Sequence, residues 1–343
     1  MLALAATLLT LAAPPVHCDS GATMYVDGPL RVFGKAFHRH EGEQTEVGHT
    51  QYACLGRSGP VGIGEDVVTN GTYGAGMEKY VFAGRRYLAV ASYDEGEGGG
   101  TQYLDVYDVR TRRHRAVNAM LDGAEVPIVR LSANGDLVVD ADGAVTAYPF
   151  AGGDQVLAAK DASGLAIAGT TVYWTQPDGP RSAALPGAAS EETDDVLEPS
   201  AFTRANPCDS RPGTTLLRTP KLRVVRSGGK TLACRVGDRR AVAVPGASDL
   251  HTAGGRWLYS AAGRRSFVLD MKARRRVTTA PRGVRSTLLG DGALAWIDET
   301  GRLQAQRPGA APVVLESGGA SALTSTGTTV YWTSGGAAHS STA

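Results

Sequence analysis

Seven residues occur twice without change: Gly169-Thr170-Thr171-Val172-Tyr173-Trp174-Thr175 and Gly327-Thr328-Thr329-Val330-Tyr331-Trp332-Thr333. Such a repeat marks a chain built from copies, and copies fold as similar units that pack on one another. The duplication runs through the sequence in constant order. Cys18-Asp19-Ser20 returns as Cys208-Asp209-Ser210, Leu30-Arg31-Val32 as Leu222-Arg223-Val224, and Tyr52-Ala53-Cys54 as Leu232-Ala233-Cys234. Residues 84–88 correspond to 254–258, 104–108 to 267–270, and 135–140 to 292–298. The chain divides into a signal-like segment (1–17), a first half (18–187), an acidic connector (188–207) and a second half (208–343), with both halves in one domain.

Within each half, short β-rich runs recur every 8 to 12 residues between turn dipeptides. Residues 79–83, 87–93, 103–109 and 114–117 make one four-strand unit, and 128–132, 137–140, 144–150 and 155–158 make the next. Residues 165–168, 172–175 and 181–185 open another. Apolar residues never hold a 3.6-residue period for three turns, so no helix is expected. Four-strand units of this size predict an all-β chain, a β-propeller of about seven or eight four-stranded blades. Each half supplies a partial unit around its cysteines, two full units and one opened by the heptapeptide. A pair of β-sandwiches is the alternative. The chain ends level with a third strand, so residues 23–27 are expected to complete the last unit and close the ring.

The repeat strand resembles a known family. Val172-Tyr173-Trp174-Thr175, followed after a turn by Arg181-Ser182-Ala183-Ala184-Leu185-Pro186-Gly187, resembles the YWTD repeat of lipoprotein-receptor-type propellers and is similar to TolB-like extracytoplasmic propellers. Gln176 and Ser334 stand where that family carries Asp. The resemblance implies the fold and the setting, and it carries no activity with it.

Composition bounds the partners. A net charge of +1 and the lack of a long basic run remove the electrostatic footprint of nucleic-acid binding. The 12-residue apolar run at 2–13 is too short to span a membrane and suits the core of a signal peptide, though without a positive flank. No other stretch is apolar enough to span, so an extracytoplasmic chain, acting as a monomer, is expected. Four cysteines agree with an oxidising compartment. If the halves fold alike, Cys18 pairs with Cys54 and Cys208 with Cys234, each bond worth roughly 3.5–4 kcal/mol by loop entropy. No Cys-x-x-Cys pair is present to suggest zinc.

Side chains with possible chemistry are few. His38, His40 and His49 lie where 36 residues separate the cysteines, against 26 in the second half, so about ten residues are inserted here. In an extended strand His38 and His40 share a side, and with His49 they form a candidate Zn²⁺ or Ni²⁺ set. A solvated polar loop is the plainer reading. Asp94, Glu95 and Glu97 sit on a second insertion, Gly-rich and with a carboxylate spacing unlike an EF-hand loop. Residues 140–143 and 228–231 resemble a calcium loop and the end of a phosphate loop, but both read as hairpin turns. Asn70-Gly71 is first a turn signal. Tyr173, Trp174, Tyr331 and Trp332 are expected in the core rather than on a ligand platform.

No catalytic residue, cofactor or firm metal site is therefore expected. The sequence reads as a binding or scaffold protein for a protein, peptide or envelope-glycan partner, contacted through the two first-half insertions. The alternative is a glycan- or peptide-processing hydrolase or lyase with a site at the central channel.

Overall fold

The computed structural model describes Cys18, residues 21–185 and residues 212–343, apart from 28, 42–43, 57, 70–72, 84–85, 97–98, 118–127, 133, 159, 220, 236–237, 239 and 247. The signal-like run, the connector, Cys208 and Glu97 lie outside the described residues. Every regular element among the described residues is a strand, and neighbouring strands pair antiparallel in sequence order within eight consecutive units. Units I to VIII span 22–69, 73–117, 128–158, 163–184, 214–243, 248–281, 285–316 and 320–342. Among the described residues units IV and VIII have three strands each; units III, VI and VII are separate four-stranded sheets, and units I, II and V, four strands each, join in one twelve-stranded sheet.

Local chemistry explains the strands. Buried and half-buried positions alternate in strands such as Ala144–Tyr148, inner strands such as Leu294–Ile297 are buried at every position, and tight turns reverse the chain. At Gly228-Gly229 both residues adopt positive φ (54° and 73°) between paired Ser227 and Lys230, a two-residue hairpin that only glycine enters without strain. The calcium-like segment is also a hairpin turn, with Ala141 paired to Ala144 and the Asp140 carboxylate accepting a hydrogen bond from the Gly143 amide at 3.2 Å.

The units touch through apolar layers. Tyr25, Leu30 and Ile63 of unit I meet Leu88 and Val109 of unit II. Tyr87 and Val106 meet Val129 and Leu137 of unit III. Val138 and Val145 meet Leu165, Val172 and Trp174 of unit IV. In the remaining units Leu222 and Val224 pack on Leu258 and Phe267, Trp257 and Tyr259 on Leu294 and Trp296, and Ala295 and Leu303 on Val330 and Trp332. A further layer joins unit IV to unit VIII, with Ala166 and Tyr173 against Tyr331.

Two features differ from the sequence-based expectation. The N-terminal strand Ala22–Asp27 does not complete the last unit. It pairs with Leu30–Glu41 across a short turn, and its other edge takes Thr214–Arg218 through Val26↔Arg218 and Asp27↔Leu217. The hairpin partner is adjacent in sequence and costs the least loop entropy to reach. The segment around the first cysteine pair is a full four-stranded unit, not a partial one. The Cys18–Cys54 disulfide is present as expected from the duplication. Cys234 is also disulfide-bonded.

Candidate functional site

The histidine insertion is an ordered hairpin, not a loop. Strand Leu30–Glu41 pairs with Gln44–Leu55 along its whole length, from Leu30↔Leu55 to Glu41↔Gln44. The corresponding second-half strands, Leu222–Ser227 and Lys230–Arg235, stop half-way. Threonine, valine and histidine alternate in the added rungs, and a third strand, Val61–Thr69, continues the pairing from Ala53↔Val61 to Glu46↔Thr69.

This extension then crosses into the next unit. Val67, Val68 and Thr69 pair with Ala75, Gly74 and Tyr73 of strand Tyr73–Ala83. That strand pairs with Tyr87–Gly96, which pairs with Gly99–Asp108 up to Gly96↔Gly99. The two insertions, far apart in sequence, thus lie on six neighbouring strand segments of units I and II, within a twelve-stranded sheet that also takes in unit V. For Asp94 and Glu95 the structure places the backbone in this sheet, paired with Thr101 and Gly100. In the second half the fifth and sixth units form separate sheets.

Register decides which side chains share a face. His38 and His40 lie on one face, and their rings meet edge to face at 4.7 Å between centroids. His49 stands opposite Ala36, and Asp66 opposite His49, on that same face. Val47 and Val68 lie between them, 43% and 48% exposed, so the face mixes imidazole, carboxylate and open apolar surface. Thr45 Oγ1 lies 3.0 Å from His40 Nδ1 and fixes that ring. Across the sheet, Arg39 bonds to Glu46 and lies 3.2 Å from Glu65, with its guanidinium 4.6 Å from the Phe37 ring centre. The Glu46 hydrogen bond raises Arg39 above the ordinary guanidinium range, against a smaller opposing effect of desolvation. Thr50 donates to Glu65 at 3.0 Å. One face is locked by its own ion pairs, and the histidine face is open.

Among the described residues, no group of three His, Cys, Asp or Glu side chains is placed to hold a metal ion. The aromatics of the heptapeptides sit in the core. Trp174 and Trp332 are each 5% exposed, and Tyr173 and Tyr331 are buried. What the sequence reading missed is the junction between units I and II. Its signal was present, because the Asn70-Gly71 dipeptide follows Val67-Val68-Thr69 and precedes Tyr73, a hairpin pattern. It also missed Val47, Val68 and Asp66, which reach the face only through register.

No helix among the described residues is long and apolar enough to cross a membrane. No family model matches the chain, and no curated protein sequence matches it. Several solved structures are similar to it at low identity. A eukaryotic initiation factor aligns at 14% identity over 89% of this chain and 90% of its own, with a TM-score of 0.29. A virginiamycin B lyase from Staphylococcus aureus, inactivated by substitution and bound to quinupristin, aligns at 10% identity over 75% of this chain and 92% of its own, with a TM-score of 0.24. Dipeptidyl peptidase 4 of Porphyromonas gingivalis aligns at 10% identity over 95% of this chain and 53% of its own, with a TM-score of 0.27.

Proposed function

We propose that this chain is an extracytoplasmic binding protein of propeller type, with eight blades in two tandem halves, and that its partner docks on the histidine face of these six strand segments. The observation that carries the reading is the joining of two separate insertions through the rungs Val67↔Ala75 to Thr69↔Tyr73, whereas the fifth and sixth units lie in different sheets. Residues shared by both halves are accounted for by folding, whereas this extension is not. The Cys18–Cys54 bond agrees with an oxidising compartment, and the Tyr-Trp-Thr strands agree with YWTD-type blades. His38, His40 and His49, with Val47 and Val68 between them, offer the combination of apolar contact and adaptable hydrogen bonding that suits a peptide or a sugar. The backbone of Asp94 and Glu95 lies in the same sheet, paired with Thr101 and Gly100.

A displayed peptide library and an array of envelope glycans, screened with the intact chain and with a chain whose two hairpins are trimmed to second-half length, test this. Ligands selected by the intact chain and lost by the trimmed one support it. Ligands that the trimmed chain holds at full affinity refute it and move the search to the channel mouth.

A further inference from the structure

The contacts between units do not follow sequence order around a ring. Unit IV packs against unit VIII, and unit I pairs with unit V, each the counterpart of the other in the duplication. The contacts are reciprocal in detail. The Tyr173 hydroxyl meets Thr333 Oγ1 at 2.5 Å, and Thr175 Oγ1 meets the Tyr331 hydroxyl at 2.8 Å, with the two rings 6.0 Å apart. Strand Ser163–Ala168 lies against Ala320–Thr326, and Gly179–Ala184 against Ala337–Thr342, equivalent on equivalent. At the other contact, Arg31 Nε donates to Thr23 Oγ1 at 2.9 Å and Arg223 Nε to Thr215 Oγ1 at 3.1 Å, which sets the correspondence of the two strands. In that correspondence Val26 faces Arg218, its own counterpart.

A surface that contacts its own copy reciprocally is isologous, the signature of a two-fold axis. Blades that follow one another around a ring instead make head-to-tail contacts, front of one on back of the next. The joints between units agree with two-fold packing. Thr69 to Tyr73, Ala158 to Ser163, Ala243 to Ser248, Pro281 to Arg285 and Glu316 to Ala320 are short steps between neighbours, and Val117 to Ile128 is moderate. The run from Ala184 to Thr214 is much the longest, and among the described residues the two units it joins share no apolar layer.

We infer that the two halves associate as the subunits of a two-fold homodimer do, and that the connector alone makes the partner half the chain's own. A second copy of this chain offers the identical surface. When the connector cannot reach, the chain exchanges halves with that second copy and forms a closed dimer. At native length the intramolecular partner wins because tethering gives it a high effective concentration. The inference rests on the two-half reading above and is independent of where a ligand binds.

The test uses the full chain, with and without residues 188–207, each also carrying the pair Val26→Cys and Arg218→Cys. The native-length chain should be a monomer by light scattering and should cross-link within itself on oxidation. The shortened chain should double its mass, keep its far-ultraviolet spectrum and tryptophan emission, and cross-link between chains. A shortened chain that stays monomeric and equally stable overturns the inference, because units IV and V are then neighbours that need no long connector. If the shortened chain does not fold, the native-length chain decides: an intramolecular cross-link supports two-fold packing, and its absence overturns it.

Discussion

At the scale of single residues, the duplication makes its own controls. Trp174 packs on Val138, Val145 and Leu165, and Trp332 on Ala295, Leu303 and Leu323, with equal exposure. Trp174→Ala and Trp332→Ala should therefore each cost about 3–5 kcal/mol in denaturant unfolding. Losses below about 1 kcal/mol at both would return the rings to the surface. Asp108 and Asp270 form a second matched pair. Asp108 accepts from Arg86 Nε at 2.9 Å, from the Thr111 hydroxyl at 2.7 Å and from the Arg110 and Thr111 amides. Asp270 accepts likewise from Arg256 and from the Lys272 and Ala273 amides. Burial pushes the Asp108 carboxyl up, but Arg86 and Thr111 outweigh it and hold the group at about 2. A depressed carboxyl stabilises the fold fully above pH about 4 and loses that contribution as pH falls toward 2. Asp108→Asn should cost about 1–3 kcal/mol at pH 7, and the gap from wild type should close between pH 4 and 2. A gap that persists at pH 2 would show that Asp108 acts by packing. The comparison is made against the variant because burial raises Asp136 and Asp140, which push the raw pH profile the other way.

At the scale of elements, most strands are readable as alternating runs between turn residues. The expected strand 155–158 matches to the residue and the others of units II to IV lie within a few positions, except that the strand expected at 79–83 starts six residues earlier, at Tyr73, and that Tyr87–Gly96 and Gly99–Asp108 run further toward their shared turn. The misreadings fall where pairing is not local. The stretch 38–49 carries three imidazoles and several charges, which argues for a loop, yet 38–41 pairs as strand with 44–47, and 46–49 has a strand partner on both sides. The cross-unit rungs Val67↔Ala75 to Thr69↔Tyr73 depend on two units being side by side. The extension leaves Val47, Val68 and Tyr103 exposed and adds little to the buried layers. Trimming both hairpins to second-half length should therefore leave the melting temperature unchanged, since little apolar burial is lost. A fall of more than about 5 °C would make the extension a structural brace.

At the scale of the whole molecule, the reciprocal contact of units IV and VIII has a thermodynamic consequence in the native chain. Tyr173→Phe and Tyr331→Phe each remove one of two equivalent hydrogen bonds, so each should cost about 0.5–1.5 kcal/mol and the two losses should match. The hydroxyls act on different threonines, but the rings are 6.0 Å apart, so the double variant should deviate from additivity. Unequal single effects would mean that the surfaces are not equivalent, and the reciprocal geometry of units IV and VIII would lose its support.

The sequence by itself determined what is local or copied: strands without helices, the turns, the pairing of Cys18 with Cys54, the burial of the heptapeptide aromatics, and an extension present in the first half alone. These follow from alternation, from glycine at positive φ and from the equality of two similar segments. Only the tertiary structure decided how the units associate. Each unit buries two faces, and the side chains on those faces are apolar whichever neighbour covers them. Whether Tyr173 meets unit V or its own counterpart in unit VIII depends on complementarity across long range, which no periodicity encodes. The same holds for the candidate site, where the register of three strands, rather than any motif, gathers His38, His40, His49, Val47, Val68 and Asp66 on one open face.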